Sequence, residues 1–176
     1  MEPNEQLPAE AKIFPISAEA INNGLSEIAA DPRGTLLEEA HLVETEDPEL
    51  NNLFRIIEGL PGTDVKTFRE GALWTRRLLK TQAKLTGGSV PKLTDSAIDS
   101  YVKSQLDRTK SGQTTSDFVK QGMEELKVSE PELFRGLQEI TKYRPETTNF
   151  NEGALTAYRT VRRMEEGKVL SANLHL

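Results

Sequence analysis

The sequence predicts an all-α protein built from two tandem, pseudo-symmetric helical-bundle units of about four helices each. Segments recur in the same order in both halves, their apolar residues have helical spacing, and the connections between them are polar or rich in Gly and Pro. The recurring segments are 16–21 with 93–98, 47–50 with 130–133, and 67–73 (TFREGAL) with 149–155 (NFNEGAL). Three ordered matches with gaps only in connections indicate an internal duplication.

The domain boundaries follow from the same comparison. The first predicted unit covers residues 15–85 and the second covers 93–167, and Gly87, Gly88 and Pro91 break any helix between them. The remaining segments are a linker (86–92), a flexible N-terminal tail (1–14) and a C-terminal tail (168–176).

The first two helices of each unit are predicted from caps and apolar spacing. Ser17 and Thr94 occupy the N-cap position, where a hydroxyl accepts a hydrogen bond from a free backbone N–H. Apolar residues then follow at helical intervals. In the first helices they are Ile21, Leu25 and Ile28 against Ile98 and Val102, and in the second Leu36, Ala40 and Val43 against Val119, Met123 and Leu126.

The third helices begin at Asp47-Pro48 and at Glu130-Pro131. Proline suits the first helical position because the backbone N–H that it lacks has no partner there. The apolar stripe is Leu50, Phe54 and Ile57 in the first unit and Leu133, Leu137 and Ile140 in the second.

The fourth helices are predicted from about Val65 to Ala83 and from about Thr148 to Glu165. Their main buried stripe is Phe68, Ala72, Thr75 and Leu79, matched by Phe150, Ala154, Ala157 and Val161. A glycine in the middle of a helix costs up to about 1 kcal/mol relative to alanine. Because both copies keep one, at Gly71 and Gly153, we expect a close crossing with another helix there.

A second face of the fourth helix also recurs. Glu70, Leu73 and Arg77 lie about 140 to 200° around the axis from Phe68, so the main core does not explain them. A solvated face would tolerate any polar residue, so this recurrence predicts a second contact surface. The candidate interaction face comprises Glu70, Leu73, Trp74, Arg77, Glu152, Leu155, Tyr158 and Arg159.

A basic run follows on the same helix. It consists of Arg76, Arg77, Lys80 and Lys84, and Arg159, Arg162 and Arg163 echo it in the second half. The simpler explanation is that cations near the end of a helix complement its dipole, each contributing roughly 0.3–1 kcal/mol. The alternative is a basic and aromatic patch, with Trp74 and Tyr158, for an acidic partner or nucleic acid.

No catalytic, cofactor-binding or metal-binding residue is predicted. Glu38 and His41 have the Glu-x-x-His spacing of di-iron bundles, but Gln121 and Glu124 stand at the matching positions, so the second motif is missing. The chain has no Cys, which excludes thiolate chemistry, and its two His give little support to a Ser-His-Asp arrangement.

Charge and chain ends narrow the function class. The net charge of −6 disfavours nucleic acid and anionic membranes as partners. The chain has neither a signal-like start nor an apolar run of about 18 residues, which predicts a cytoplasmic protein without a membrane span.

The sequence therefore predicts a non-enzymatic helical protein-protein interaction module, such as an adaptor, accessory subunit or scaffold, whose partner is another protein; a homodimer also fits. One alternative is a small enzyme or ligand-binder with its site between the two units, where Glu70, Arg77, Glu152 and Arg159 would converge. The other is a binder of an acidic partner or nucleic acid through the basic run.

Overall fold

The computed structural model describes residues 13–58, 64–91, 94–142, 144 and 146–174, and these form helices and no strand. The predicted all-α class is confirmed. In chain order the described helices are α1 (Ala18–Ala30), α2 (Pro32–Glu46), α3 (Pro48–Glu58), α4 (Val65–Leu85), α5 (Asp95–Ser111), α6 (Thr115–Ser129), α7 (Pro131–Thr141) and α8 (Thr148–Leu174).

Polar side chains cap several of these helices. The Ser17 hydroxyl accepts a hydrogen bond from the backbone N–H of Ala20, as predicted, and Asp31 and Thr114 cap α2 and α6. Asp64 caps α4 and accepts bonds from both the hydroxyl and the backbone N–H of Thr67, which lower the pKa of its carboxyl. Thr94 directly precedes α5, and its hydroxyl lies 3.7 Å from the sulfur of Met164 in α8.

The helices α4 and α8 form the central pair, and they cross closely at two glycines. A Cβ added at Gly71 would overlap the carbonyl oxygen of Phe150, and a Cβ added at Gly153 would overlap the carbonyl oxygen of Phe68. Only glycine fits at either position without moving the backbone of the facing helix. The expected close crossing is therefore confirmed, and its two contacts are reciprocal.

Two apolar cores lie on either side of this pair, and each draws on both predicted units. One joins the N-terminal segment and α1 with α6 and α7, and the other joins α2 and α3 with α5. Accordingly α1 packs against α7, and α5 packs against α3. The segments 15–85 and 93–167 thus do not each enclose a separate core, because each half places its first helix against the third helix of the other.

The predicted buried stripes hold in the described residues. Those of the fourth helices are buried throughout, and so are the aromatic and leucine positions of the third helices. Ile140 is partly buried, and the side chain of Ile57 lies outside the described residues.

Both predicted tails need correction at their inner ends. Ile13 is buried, its N–H donates to Glu165, and the ring of Phe14 meets that of Tyr158 edge-on at 5.4 Å. The end of the predicted N-terminal tail is therefore part of the fold, while residues 1–12 lie outside the described residues. At the other end α8 continues to Leu174, so the predicted C-terminal tail is helical over residues 168–174.

Candidate functional site

The predicted interaction face lies largely inside the molecule. Leu73, Trp74, Glu152 and Leu155 are all at most 5% exposed. Leu73 packs in the core of α2, α3 and α5, whereas Leu155 packs in the core of α1, α6 and α7. These residues therefore cannot offer a free surface to a partner. They are buried because the central helix pair is covered on two sides, so the predicted second contact surface faces other helices of the same chain.

The charged members of that face bind partners on different helices. Glu70 accepts a hydrogen bond from Arg144 at 2.9 Å. Arg159 lies 3.5 Å from Glu125 and over the ring of Phe118. Arg77 pairs with carboxylates of α1 and α2. Glu70, Arg77 and Arg159 thus pair with three different regions of the chain. They do not converge on one site between the units, as the sequence had led us to expect.

The basic run of α4 instead lines a cleft. The cleft has a volume of about 340 Å³ and lies between α1, α2, α4 and the linker that follows α4. All four cations of the run line it, together with the hydroxyl residues Thr81 and Ser89. Its opposite rim carries three carboxylates, those of Glu27, Glu38 and Glu46. We call this feature the α2–α4 cleft.

A buried carboxylate lies beneath the cleft. Glu39 is fully buried, and its oxygens lie 3.7 Å from Nε of Arg76, 3.6 Å from Nε of Arg77 and 3.4 Å from Nζ of Lys80. Arg76 also reaches the buried Asp47, with 3.2 Å between NH1 and Oδ2. Buried charges persist only when opposite charges surround them. These acids therefore hold the arginines in position from behind.

Two guanidinium nitrogens of the lining arginines lie buried behind the cleft. Nε of Arg76 and Nε of Arg77 are buried, and neither has a hydrogen-bond partner among the described residues. Arg76 is only 5% exposed, yet it is one of the lining residues. Buried polar atoms are normally satisfied. These two Nε atoms lie 3.7 and 3.6 Å from the buried Glu39, so they help to hold the guanidinium groups in position from beneath the cleft.

The helix dipole does not account for the basic run. Its effect falls off within the last turn of a helix. In α4 only Lys84 lies in that turn, and α8 has no basic residue in its last turn. The simpler explanation from the sequence is therefore wrong for Arg76, Arg77 and Lys80.

The corresponding region of the second half is closed. Aligning the halves places Gly122 at the position of Glu39, and Leu155 and Arg159 lie directly against it. Tyr158 stands at the position of Arg76, contacts Phe14 and lies 3.3 Å from the hydroxyl of Ser129.

The cation that follows in α8 is engaged with acids of its own. Arg162 pairs with the buried Glu130 at 3.3 Å and with Glu166. Burial disfavours its charge, but Tyr158, Glu166 and Glu130 outweigh that effect and raise the pKa of Arg162 above its ordinary value. This side of the molecule therefore has a satisfied cation where the first half has an open cleft.

The Glu-x-x-His spacing of Glu38 and His41 does not form part of a metal site in the described residues. His41 is exposed, and Glu38 is occupied by Arg77. The described part of the chain contains no group of three or more His, Asp or Glu side chains arranged to hold a metal ion. Within the same residues, no helix combines the length and the apolar character needed to cross a bilayer.

Sequence reasoning missed the buried acids Glu39 and Asp47. A signal for Glu39 was present, since Thr35, Glu39 and Val43 are spaced four residues apart and share the buried face of α2. Charged residues are rarely buried, so the helical spacing alone did not identify Glu39 as part of the core.

Comparison with known proteins adds no family. No protein-family model, no curated protein and no solved structure matches this chain.

Proposed function

We propose that this protein is a non-enzymatic helical interaction module that binds an acidic segment of a partner protein in the α2–α4 cleft. One observation carries the proposal: all four cations of the basic run line one cleft, where buried acids hold the arginines in position. The binding surface is therefore the basic run rather than the recurring face of the fourth helix.

The dimensions of the cleft favour an extended segment of chain. Arg77 and Lys84 are seven residues apart, which corresponds to about 10.5 Å along a helix. An extended strand rises about 3.3 Å per residue, so about three residues of a partner span that distance. Leu42 and Val90 also line the cleft and offer apolar contact beside the charges. Such a mixture suits a peptide with acidic and apolar side chains.

The charge of the whole molecule favours a protein partner over nucleic acid. With a net charge of −6 the chain repels a polyanion at long range. A short acidic segment that meets the four cations of the α2–α4 cleft brings fewer negative charges close to the chain than a polyanion does. The proposed cytoplasmic location is compatible with such a partner.

We further propose that the fold arose by internal duplication. The support is the reciprocity of the contacts: Gly71 meets Phe150 while Gly153 meets Phe68, and α1 packs on α7 while α5 packs on α3. In that case one copy kept an open cleft and the other closed it. The alternative of an enzyme with its site between the two units has less support. Its proposed residues Glu70, Arg77 and Arg159 pair with Arg144, Glu38 and Glu125 instead of with one another.

Binding of a labelled acidic peptide tests the function. The probe is fluorescein-labelled decaglutamate, and its anisotropy is measured with the full chain at low and physiological salt. Lys80→Gln with Lys84→Gln removes two cleft cations without leaving a buried acid unpaired, since Arg76 and Arg77 remain beside Glu39. We expect about tenfold weaker binding, because each lost charge contact weakens the complex.

The matched control changes the same number of lysines elsewhere. Lys103→Gln with Lys120→Gln alters exposed lysines of α5 and α6 and lowers the net charge equally. Equal weakening of peptide binding by both double variants would show that binding follows net charge. That result would contradict the proposal that the peptide binds in the α2–α4 cleft. Stronger binding of a labelled oligodeoxythymidine, with the same dependence on Lys80 and Lys84, would make nucleic acid the partner instead.

A further inference from the structure

The key cation of the cleft is already occupied by two carboxylates of its own chain. NH2 of Arg77 lies 3.2 Å from Glu38, and NH1 lies 3.9 Å from Glu27. Both acids are well exposed, with side chains 62% and 48% accessible, whereas that of Arg77 is only 11% accessible. Exposed carboxylates contribute little through such pairs, so they can be displaced.

Displacement favours one kind of incoming group. A carboxylate from a partner would replace one carboxylate with another of equal charge. A phosphate monoester carries about −1.5 to −2 charges near neutral pH and offers three strong acceptor oxygens. Arginine binds such a group through two parallel N–H bonds. The exchange at Arg77 is therefore favourable for a phosphate and nearly neutral for a carboxylate.

The groups around Arg77 can complete such a site. Nζ of Lys80 reaches into the same charged cluster, and the hydroxyl of Thr81 lies 3.5 Å from Glu27 and 3.0 Å from the carbonyl oxygen of Arg77. Cations and a hydroxyl thus meet at one end of the cleft, and NH1 and NH2 of Arg77 are the nitrogens that point to the displaceable acids.

Building on the proposed function, we infer that this end of the cleft is a phosphate subsite for a phosphoserine in the partner segment, with Glu27 and Glu38 as internal competitors. The competitors set a threshold, because a segment with carboxylates alone gains little at Arg77. Binding is then controlled by phosphorylation of the partner.

The second half lacks this arrangement. Arg159, the counterpart of Arg77, lies beside Gly122 and over the ring of Phe118. Tyr158 replaces Arg76 there, and Arg162 is held by Glu130. We therefore expect one phosphate subsite per chain.

Three matched peptides test the inference with the full-length chain by isothermal titration calorimetry. Each is the same acidic decapeptide with Ser, Glu or phosphoserine at the centre. We expect phosphoserine to bind about tenfold more tightly than Glu, with one peptide per chain. Glu38→Gln removes a competitor and should tighten phosphoserine binding by a factor of about three while changing the Glu peptide less.

Arg77→Lys isolates the role of the guanidinium. It keeps a cation beside the buried Glu39 but removes the two-pronged bond, so the preference for phosphoserine over Glu should fall to about twofold. Arg159→Lys is its matched control and should keep the full preference. The near-ultraviolet circular dichroism of each variant reports whether its packing is intact.

The outcomes separate the two proposals. Equal binding of the Glu and phosphoserine peptides, with sensitivity to Lys80→Gln and Lys84→Gln retained, would overturn the phosphate subsite and leave the acidic-segment function standing. If none of the three peptides bound, both would fail. If free phosphoserine bound as tightly as the phosphopeptide, the ligand of the subsite would be a free phosphate compound. The proposal that the phosphate belongs to a segment of a partner protein would then be wrong.

Discussion

The two helices that pack on the central pair, α2 on α4 and α6 on α8, make their contacts through different kinds of residue. Where α2 lies on α4, the fully buried Glu39 faces Arg76 and Arg77, and a cleft of about 340 Å³ remains open above them. Where α6 lies on α8, Gly122 lets Leu155 and Arg159 approach closely. Both interfaces carry ion pairs, but the α6–α8 side has a glycine at the position where the α2–α4 side has a fully buried carboxylate.

This difference helps to distinguish residues that the packing of the helices needs from residues that serve binding. A buried ion cluster is costly to desolvate, and an apolar replacement of equal volume is often as stable. The α6–α8 side has no acid at the position of Glu39, and its cations pair with Glu125, Glu130 and Glu166 instead. The buried Glu39 and its three cations have no counterpart there, which makes the α2–α4 cleft the better candidate for a binding site.

The largest expected effect tests whether the α2–α4 side depends on its ion pairs. Arg76→Met removes a single guanidinium group that lies 3.2 Å from Asp47 and 3.7 Å from Glu39. Both of these acids are buried. We expect a loss of about 3–5 kcal/mol in the free energy of unfolding. Urea denaturation measures it, with the fluorescence of Trp74, the single Trp of the chain, as the signal.

The matched change on the other side is Tyr158→Phe. It removes a hydroxyl that lies 3.3 Å from Ser129 at a half-buried position, so its cost should be about 1 kcal/mol or less. Similar losses in the two variants would remove the proposed distinction between the sides.

The next effect tests the reciprocity of the crossing. Gly71→Ala and Gly153→Ala each force a Cβ onto a carbonyl oxygen of the facing helix, where no flexible side chain can move aside. Each should cost about 1–3 kcal/mol, and the two losses should be similar. Thermal unfolding by circular dichroism compares them. A large loss in only one variant would show that the two contacts are not energetically equivalent.

A smaller effect sharpens the description of the closed side. In Gly122→Ala the new Cβ would lie 2.7 Å from Cδ1 of Leu155 and 2.9 Å from NH2 of Arg159. Both atoms are at the ends of flexible side chains, so the cost should be about 1 kcal/mol, below that of the crossing glycines. The exposed neighbour Gln121→Ala is the control for the same denaturation measurement. An unchanged stability would mean that this interface is looser than the distances indicate.

The smallest effect compares the starts of the two central helices. Bonds from Thr67 lower the pKa of Asp64 at the start of α4, so its carboxylate stabilises the fold at neutral pH and loses that effect as the pH falls through the native pKa. Thr67→Ala should move the pKa back towards 3.8, as measured by NMR titration. At the start of α8 Glu146 accepts a hydrogen bond from the backbone N–H of Thr148. An unchanged Asp64 pKa would contradict the assigned cause.

The sequence predicted much of the secondary structure and little of the site. Helical spacing, caps and prolines placed the eight described helices, and the paired glycines predicted the close crossing. Leu73 and Trp74 were assigned to an interaction face because they lie off the main stripe of their helix. They are buried because other helices cover that second face.

The amino-acid sequence by itself determined where the chain is helical, where helices break and where two helices must approach closely, because these depend on local backbone chemistry and on the period of the helix. The tertiary structure alone decided which faces are covered, that each half lends its first helix to the other, and that the basic run of α4 borders a cleft. The periodicity of a helix describes each side chain relative to its own axis. Burial of Glu39 and exposure of the cleft depend on helices that are distant in the chain, and no local pattern encodes their positions.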